Sequence, residues 1–94
     1  MNKKFYYVYI LANKSNSVLY IGSTSDIKTR LYLHKSKAIK GFTAKYNVTK
    51  LVYIEMFSDP YSMVVRERQL KGWTRKKKER LICVTNPLWK EVEI

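Results

Sequence analysis

The side chains in this sequence that can do chemistry are few, and several break the pattern around them. Glu67 falls between Met63, Val64 and Leu70, on what should be the apolar stripe of a helix. A carboxylate there is costly unless it is paired or holds a cation. The arginines and lysines between 66 and 80 offer a salt bridge; a divalent metal or a catalytic task is a second reading, and simple exposure through rotation of the helix a third. Arg30 and His34 are four apart and so share a helix face, which also carries Ile27 and Leu31. They either snorkel at the edge of that stripe or aim into a site. Tyr9 shares a strand face with Tyr7, and Tyr20 closes a second strand-like run just before Gly22. Hairpin tyrosines usually pack across strands, but beside basic residues they also make a platform for bases. Arg75-Lys76-Lys77-Lys78 with Arg80 is either a solvated face or a phosphate contact.

Several familiar chemistries are excluded. No GxxxxGK[ST] phosphate loop, Rossmann glycine pattern or serine elbow is present. One histidine and one cysteine cannot build a zinc site. Cys83 has no internal disulfide partner, and its run Leu81-Ile82-Cys83-Val84 suggests a buried thiol.

The elements that must position these residues can be read along the chain. Phe5 to Leu11 and Val18 to Gly22 are rich in strand formers, and the polar Asn13-Lys14-Ser15-Asn16-Ser17 joins them as a hairpin. Ser23-Thr24-Ser25-Asp26 supplies N-cap chemistry for a helix over about 26–38, which Gly41 is expected to break. The segment 42–46 reads as a short helix or a loop. Leu51 to Phe57 is a third strand. Ser58-Asp59-Pro60 starts a second helix over about 60–71, ended by Gly72. Thr74 caps a very basic helix over about 75–83, and Asn86-Pro87-Leu88-Trp89 reads as an extended loop. The order β-β-α-(α)-β-α-α predicts a small α+β domain with a three-stranded antiparallel sheet flanked by helices.

The chain has 94 residues and a mass of 11.2 kDa, enough for one small domain over 1–94. Nineteen Lys and Arg against seven Asp and Glu give a net charge of +12. Such an excess speaks to partners, and the first candidate is a polyanion: DNA, RNA or an anionic surface. The apolar runs are too short to span a bilayer, and the basic start at Met1-Asn2-Lys3-Lys4 leads into a strand-like run without a cleavage site. A soluble cytoplasmic protein, monomeric by default, is the expectation.

Taken in order, these pieces resemble the GIY-YIG domain, and most closely its small stand-alone bacterial branch. Tyr7-Val8-Tyr9 is similar to the first half-motif and Tyr20-Ile21-Gly22 is an intact second half, with ten residues between Tyr9 and Tyr20. The segment Thr24 to His34 resembles the family helix with its Arg and its His or Tyr four residues on. Phe42-Thr43-Ala44-Lys45-Tyr46, Arg66-Glu67-Arg68-Gln69-Leu70-Lys71-Gly72-Trp73 and Asn86-Pro87-Leu88-Trp89 resemble the middle section, the acidic helix and the ending. The likeness covers about residues 5–90. It departs at Tyr7, where the family name has Gly.

The resemblance implies a metal-dependent endonuclease that hydrolyses phosphodiester bonds by direct attack of water, on DNA ahead of RNA, with DNA repair as the expected setting. It implies one divalent ion, Mg²⁺ or Mn²⁺, on Glu67, stabilising the leaving 3′ oxygen. Arg30 would meet the scissile phosphate, His34 would assist beside it, and Asn86 would orient the site. A motif tyrosine would take the proton of water, Tyr9 first and Tyr20 second. A phenol is a poor base at its ordinary pKa near 10, so a cation must help it. Gly22 would let the backbone pass close to the substrate. Lys45, Arg75, Lys76, Lys77 and Lys78 would bind nucleic acid. The alternative is a non-catalytic DNA- or RNA-binding module on the same basic face. A third reading is a module for an acidic protein, and a protein partner could also present the substrate.

Overall fold

A computed structural model describes residues 3–94; Met1 and Asn2, the start of the basic stretch Met1 to Lys4, lie outside the described residues. The elements run β1 (Tyr6–Ala12), β2 (Leu19–Thr24), α1 (Ile27–Lys35), α2 (Phe42–Lys45), β3 (Lys50–Phe57), α3 (Pro60–Lys71) and α4 (Arg75–Thr85). The sheet is antiparallel in the order β2-β1-β3. The architecture is the α+β arrangement that the element order predicts.

β1 is central and covered on both faces, which explains its unbroken apolar run: Val8, Tyr9, Ile10, Leu11 and Ala12 are all buried. Alternation then divides the core. Tyr9 and Leu11 pack with Ile27 of α1, Val48 and Leu51. Val8, Ile10 and Ala12 pack on the opposite face with Leu70 of α3 and Ile82 of α4. No helix among the described residues is long and apolar enough to cross a membrane.

Local chemistry accounts for most boundaries. The Asn13 side chain accepts from the Val18 N–H at 3.0 Å and, with Asn16 at φ 61°, closes the hairpin. Asp26, Asp59 and Thr74 cap α1, α3 and α4 through Thr29, Ser62 and Lys77 backbone N–H groups.

Four expectations need correction. α1 ends at Lys35 rather than near 38, because Lys37 takes a left-handed φ of 59° and the Ala38 N–H turns back to the Leu33 carbonyl at 3.0 Å. Val64 lies off the buried stripe of α3, 38% exposed, while Met63 and Leu70 face the core. Cys83 is exposed, its sulfur accepting from the Trp89 indole N–H at 3.4 Å, because α4 turns Ile82 inward instead. The segment 86–89 is a tight turn, with Trp89 at φ 53° and its N–H on the Asn86 carbonyl at 3.0 Å.

Candidate active site

The site forms around β2, an edge strand of the sheet. Tyr9 faces Gly22 directly across the β1–β2 ladder. A side chain at position 22 would overlap the Tyr9 hydroxyl, with its Cβ 2.5 Å from Tyr9 Cζ and 2.9 Å from Tyr20 Cε2. Glycine is therefore what lets the Tyr9 phenol lie over the edge strand. Gly22 was expected to bring the backbone close to a substrate; on the side where its Cβ would stand, these two rings lie.

The Tyr9 hydroxyl is 2.9 Å from His34 Nε2, and His34 Nδ1 is 3.0 Å from Thr43 Oγ1. Both ring nitrogens of His34 are thus engaged, one by β1 and one by α2. The Tyr9, Tyr20 and His34 rings are mutual neighbours, with centroids 5.6–6.3 Å apart. Burial, then the adjacent Tyr20, pushes the Tyr9 phenol well above its ordinary pKa, against the pull of Arg30. Burial, then the Arg30 charge, pushes His34 below its ordinary value, which favours the neutral imidazole.

Glu67 approaches from the other face of the sheet, on α3. Its Oε1 accepts from the Ser23 hydroxyl at 2.7 Å, and its Oε2 pairs with Lys71 Nζ at 2.9 Å. Burial works against its charge, but Ser23 and Lys71 outweigh it and hold the carboxyl below the usual range. Its charge reaches the Tyr9 phenol, as does that of Arg30. Among the described residues no three His, Cys, Asp or Glu side chains gather as a metal cluster. What the site offers a cation is one carboxylate with a hydroxyl beside it, a set of hard oxygen donors.

The structure therefore brings Tyr9, Tyr20, Gly22, Arg30, His34 and Glu67 together. It places Asn86 elsewhere. That side chain donates to the Val52 and Lys90 carbonyls at 3.0 and 2.7 Å and accepts from the Lys90 N–H, clasping the C-terminal tail to β3, the far edge of the sheet.

The basic residues also divide. Arg75 is engaged internally, with Glu79 at 2.8 Å and with the carbonyls of Asn16 and Ser17 in the hairpin turn. Lys77 lies over the Trp73 ring, 4.6 Å from its centroid, and Lys76 is exposed. Lys45 is exposed over Tyr46. Lys78 lines a groove beside Tyr20, together with Lys71 and Phe42. Lys71, Ser23, Thr43 and Phe42 are the participants that sequence reasoning missed. Only Lys71 carried a usable signal, as the i+4 neighbour of a pattern-breaking glutamate.

Comparisons with known proteins agree with this fold. Residues 5–80 match the family described as the GIY-YIG catalytic domain. The UPF0213 protein SH2523 of Staphylococcus haemolyticus is 38% identical over 81 residues, covering 82% of this chain and 93% of that one. A UPF0213 protein of Bacillus pumilus is 35% identical over 79 residues, covering 84% and 80%. The solution NMR structure of the UPF0213 protein BH0048 from Bacillus halodurans superimposes with a TM-score of 0.59 at 29% identity, covering 93% of this chain and 92% of that one. The match over most of the chain and the shared α+β fold lead to one conclusion: this protein belongs to the GIY-YIG catalytic domain family, beside the UPF0213 proteins.

Proposed function

We propose that the protein is an endonuclease that hydrolyses phosphodiester bonds of nucleic acid, DNA ahead of RNA, with one divalent cation. The observation that carries this reading is the placement of Glu67 against Ser23 of β2, at 2.7 Å, next to Gly22, over which the Tyr9–His34 pair and the Tyr20 ring lie, with Arg30 one helical turn before His34 on α1.

Each residue has a task that its surroundings support. Arg30 meets the phosphoryl oxygens, whose negative charge grows in the transition state. Tyr20 is the more open of the two tyrosines, and its oxygen holds the attacking water and, once the phenol has lost its own proton to solvent, takes the proton of that water. Tyr9 came first for that role on the sequence alone. It is 1% exposed, its hydroxyl already meets His34, and burial keeps it protonated, so we assign it to bracing. His34 orients Tyr9 and ties it to Thr43; with both nitrogens engaged it positions and does not shuttle. Glu67, with Ser23 beside it, would hold Mg²⁺ or Mn²⁺, which keep several waters and need few protein ligands. Bound there, such a cation supplies Lewis-acid stabilisation of the leaving 3′ oxygen. Lys71 must release Glu67 to admit it; its side chain is 54% exposed, with room to turn to the substrate backbone.

One observation favours the second reading, a non-catalytic nucleic-acid-binding module: Glu67 already has two internal partners. Incubation with nicked, branched and single-stranded DNA and with RNA, in Mg²⁺ or Mn²⁺ and then in EDTA, separates the two. Cleavage that EDTA abolishes supports the nuclease. Salt-sensitive binding without cleavage supports the module.

A further inference from the structure

We propose that Phe42 and Tyr46 form a stacking shelf beside the site, which takes one nucleobase that stands free of its helical stack. The two rings are apolar yet 48% and 45% exposed, and neither belongs to a core cluster. Their centroids are 5.0 Å apart and their planes are tilted by 53°, so Phe42 offers the face and Tyr46 a flank beside it. Phe42 in turn lies near-parallel to Tyr20, at 6.5 Å and 28°, and Tyr20 neighbours His34. A continuous row of aromatic faces therefore leads from the buried Tyr9–His34 pair out to solvent.

The shelf is held firmly for so short an element. α2 has four residues, and Thr43, buried beneath it, meets His34 Nδ1 at 3.0 Å. Gly41, at φ 119°, sets the entry of the chain into α2 in a conformation that only glycine adopts readily. The shelf and the Tyr9–His34 pair are thereby one unit.

The charge beside it selects the ligand. A groove of about 270 Å³ runs between Phe42 and the lysines 71 and 78, with Leu19, Tyr20 and Ile21 as its floor. Lys45 stands over the Tyr46 ring. Phe42 and Tyr20 thus give the groove its aromatic lining, with Tyr46 set at an angle beyond Phe42, and Lys71 and Lys78 its cationic lining, which matches a base and its phosphates. A base inside an intact duplex has both faces covered by its neighbours. Only a base at an end, bulge, gap or single strand can use the shelf. Lysines alone would bind the backbone without any such requirement.

The inference rests on reading this face as a nucleic-acid surface, and its test needs no cleavage. The intact protein, in EDTA, is titrated by fluorescence anisotropy against a thymine oligonucleotide and against the same strand with abasic sugars. The base-bearing strand is expected to bind about tenfold more tightly. The double variant Phe42→Leu with Tyr46→Leu keeps apolar volume over Tyr20 and should lose that gap while its salt dependence stays the same. A uracil RNA pair identifies the source. A gap in both sugars means that the base alone is recognised, and a gap in one means that the shelf serves that polymer. No gap in the unaltered protein, or an undiminished gap in the folded double variant, overturns the shelf. Binding with the gap but no cleavage in Mg²⁺ or Mn²⁺ overturns the nuclease reading and leaves the shelf standing.

Discussion

Gly22 decides the geometry at the scale of single residues. Its missing side chain is the space that the Tyr9 phenol and the Tyr20 ring edge occupy. Gly22→Ala is therefore expected to destabilise by about 1–3 kcal/mol, as other overpacking changes do. The measure is a lower denaturant midpoint at constant slope; an unchanged midpoint would mean that Tyr9 does not rest on this glycine. His34 gives a pH prediction with a definite sign. Its pKa is depressed in the fold, so between its unfolded value near 6.5 and the lower folded value the unfolded chain binds more protons. Stability should fall as pH drops through that window, by at most about 1.4 kcal/mol per pH unit. His34→Gln should flatten the slope, and a slope that persists would place its source elsewhere. Glu67, Arg30 and His34 stood out in the sequence because each breaks or shares a helical stripe, but spacing favoured a salt bridge and a snorkelling edge, and the site roles came only with the family resemblance. Their partners were not. Ser23 and Glu67 are 44 positions apart and His34 and Thr43 are nine apart, so both pairings exist only once strand and helices are assembled. Asn86 misled for the same reason: a capping and clasping asparagine carries the same letter as an orienting one.

At the scale of elements, α3 matters most, since one helix carries both the carboxylate and a core anchor. Leu70 is fully buried between the sheet and α4, one turn beyond Glu67 on α3. Arg66 fixes the rotation of the helix by donating to both carboxylate oxygens of Glu55 on β3, at 2.9–3.2 Å, while it stacks on Trp73. Leu70→Ala is expected to cost about 2–5 kcal/mol in chemical denaturation. A cost under about 1 kcal/mol would mean that α3 is not anchored there. The starts of α3 and α4 were readable because Asp59-Pro60 and Thr74 are strong local signals. The end of α1 was not, because Lys37 adopts a left-handed conformation that its residue type does not announce. The rotation of α3 was half readable. Met63 and Leu70 were placed on the core side correctly, and Val64 was not, since Glu67 and Arg66 take part of the inner face.

At the scale of the whole molecule, the +12 charge is distributed unevenly in effect. Arg75 is drawn into the hairpin turn, while Lys71 and Lys78 flank the groove beside Tyr20. Replacing Lys71 and Lys78 with Gln should weaken nucleic-acid binding across all sequences. It should also reduce the slope of log Kd against log salt by about 0.7–0.9 for each phosphate that is no longer neutralised. Replacing Arg75 should leave the slope unchanged and lower stability instead; the reverse pattern would move the interface from the groove to Arg75 at the hairpin turn. Composition announced a polyanion partner, yet it did not say which cations meet it, because that depends on which are already engaged within the fold. In the proposed reaction Glu67, Arg30 and Tyr20 act together on a phosphodiester bond. The most direct measurement is single-turnover cleavage by the unaltered protein and by Glu67→Gln, with binding of the same substrate recorded for both. Metal-dependent cleavage by the unaltered protein is the expected result, with loss of at least about a hundredfold in rate and binding retained in the variant. Equal rates in the two proteins would contradict it.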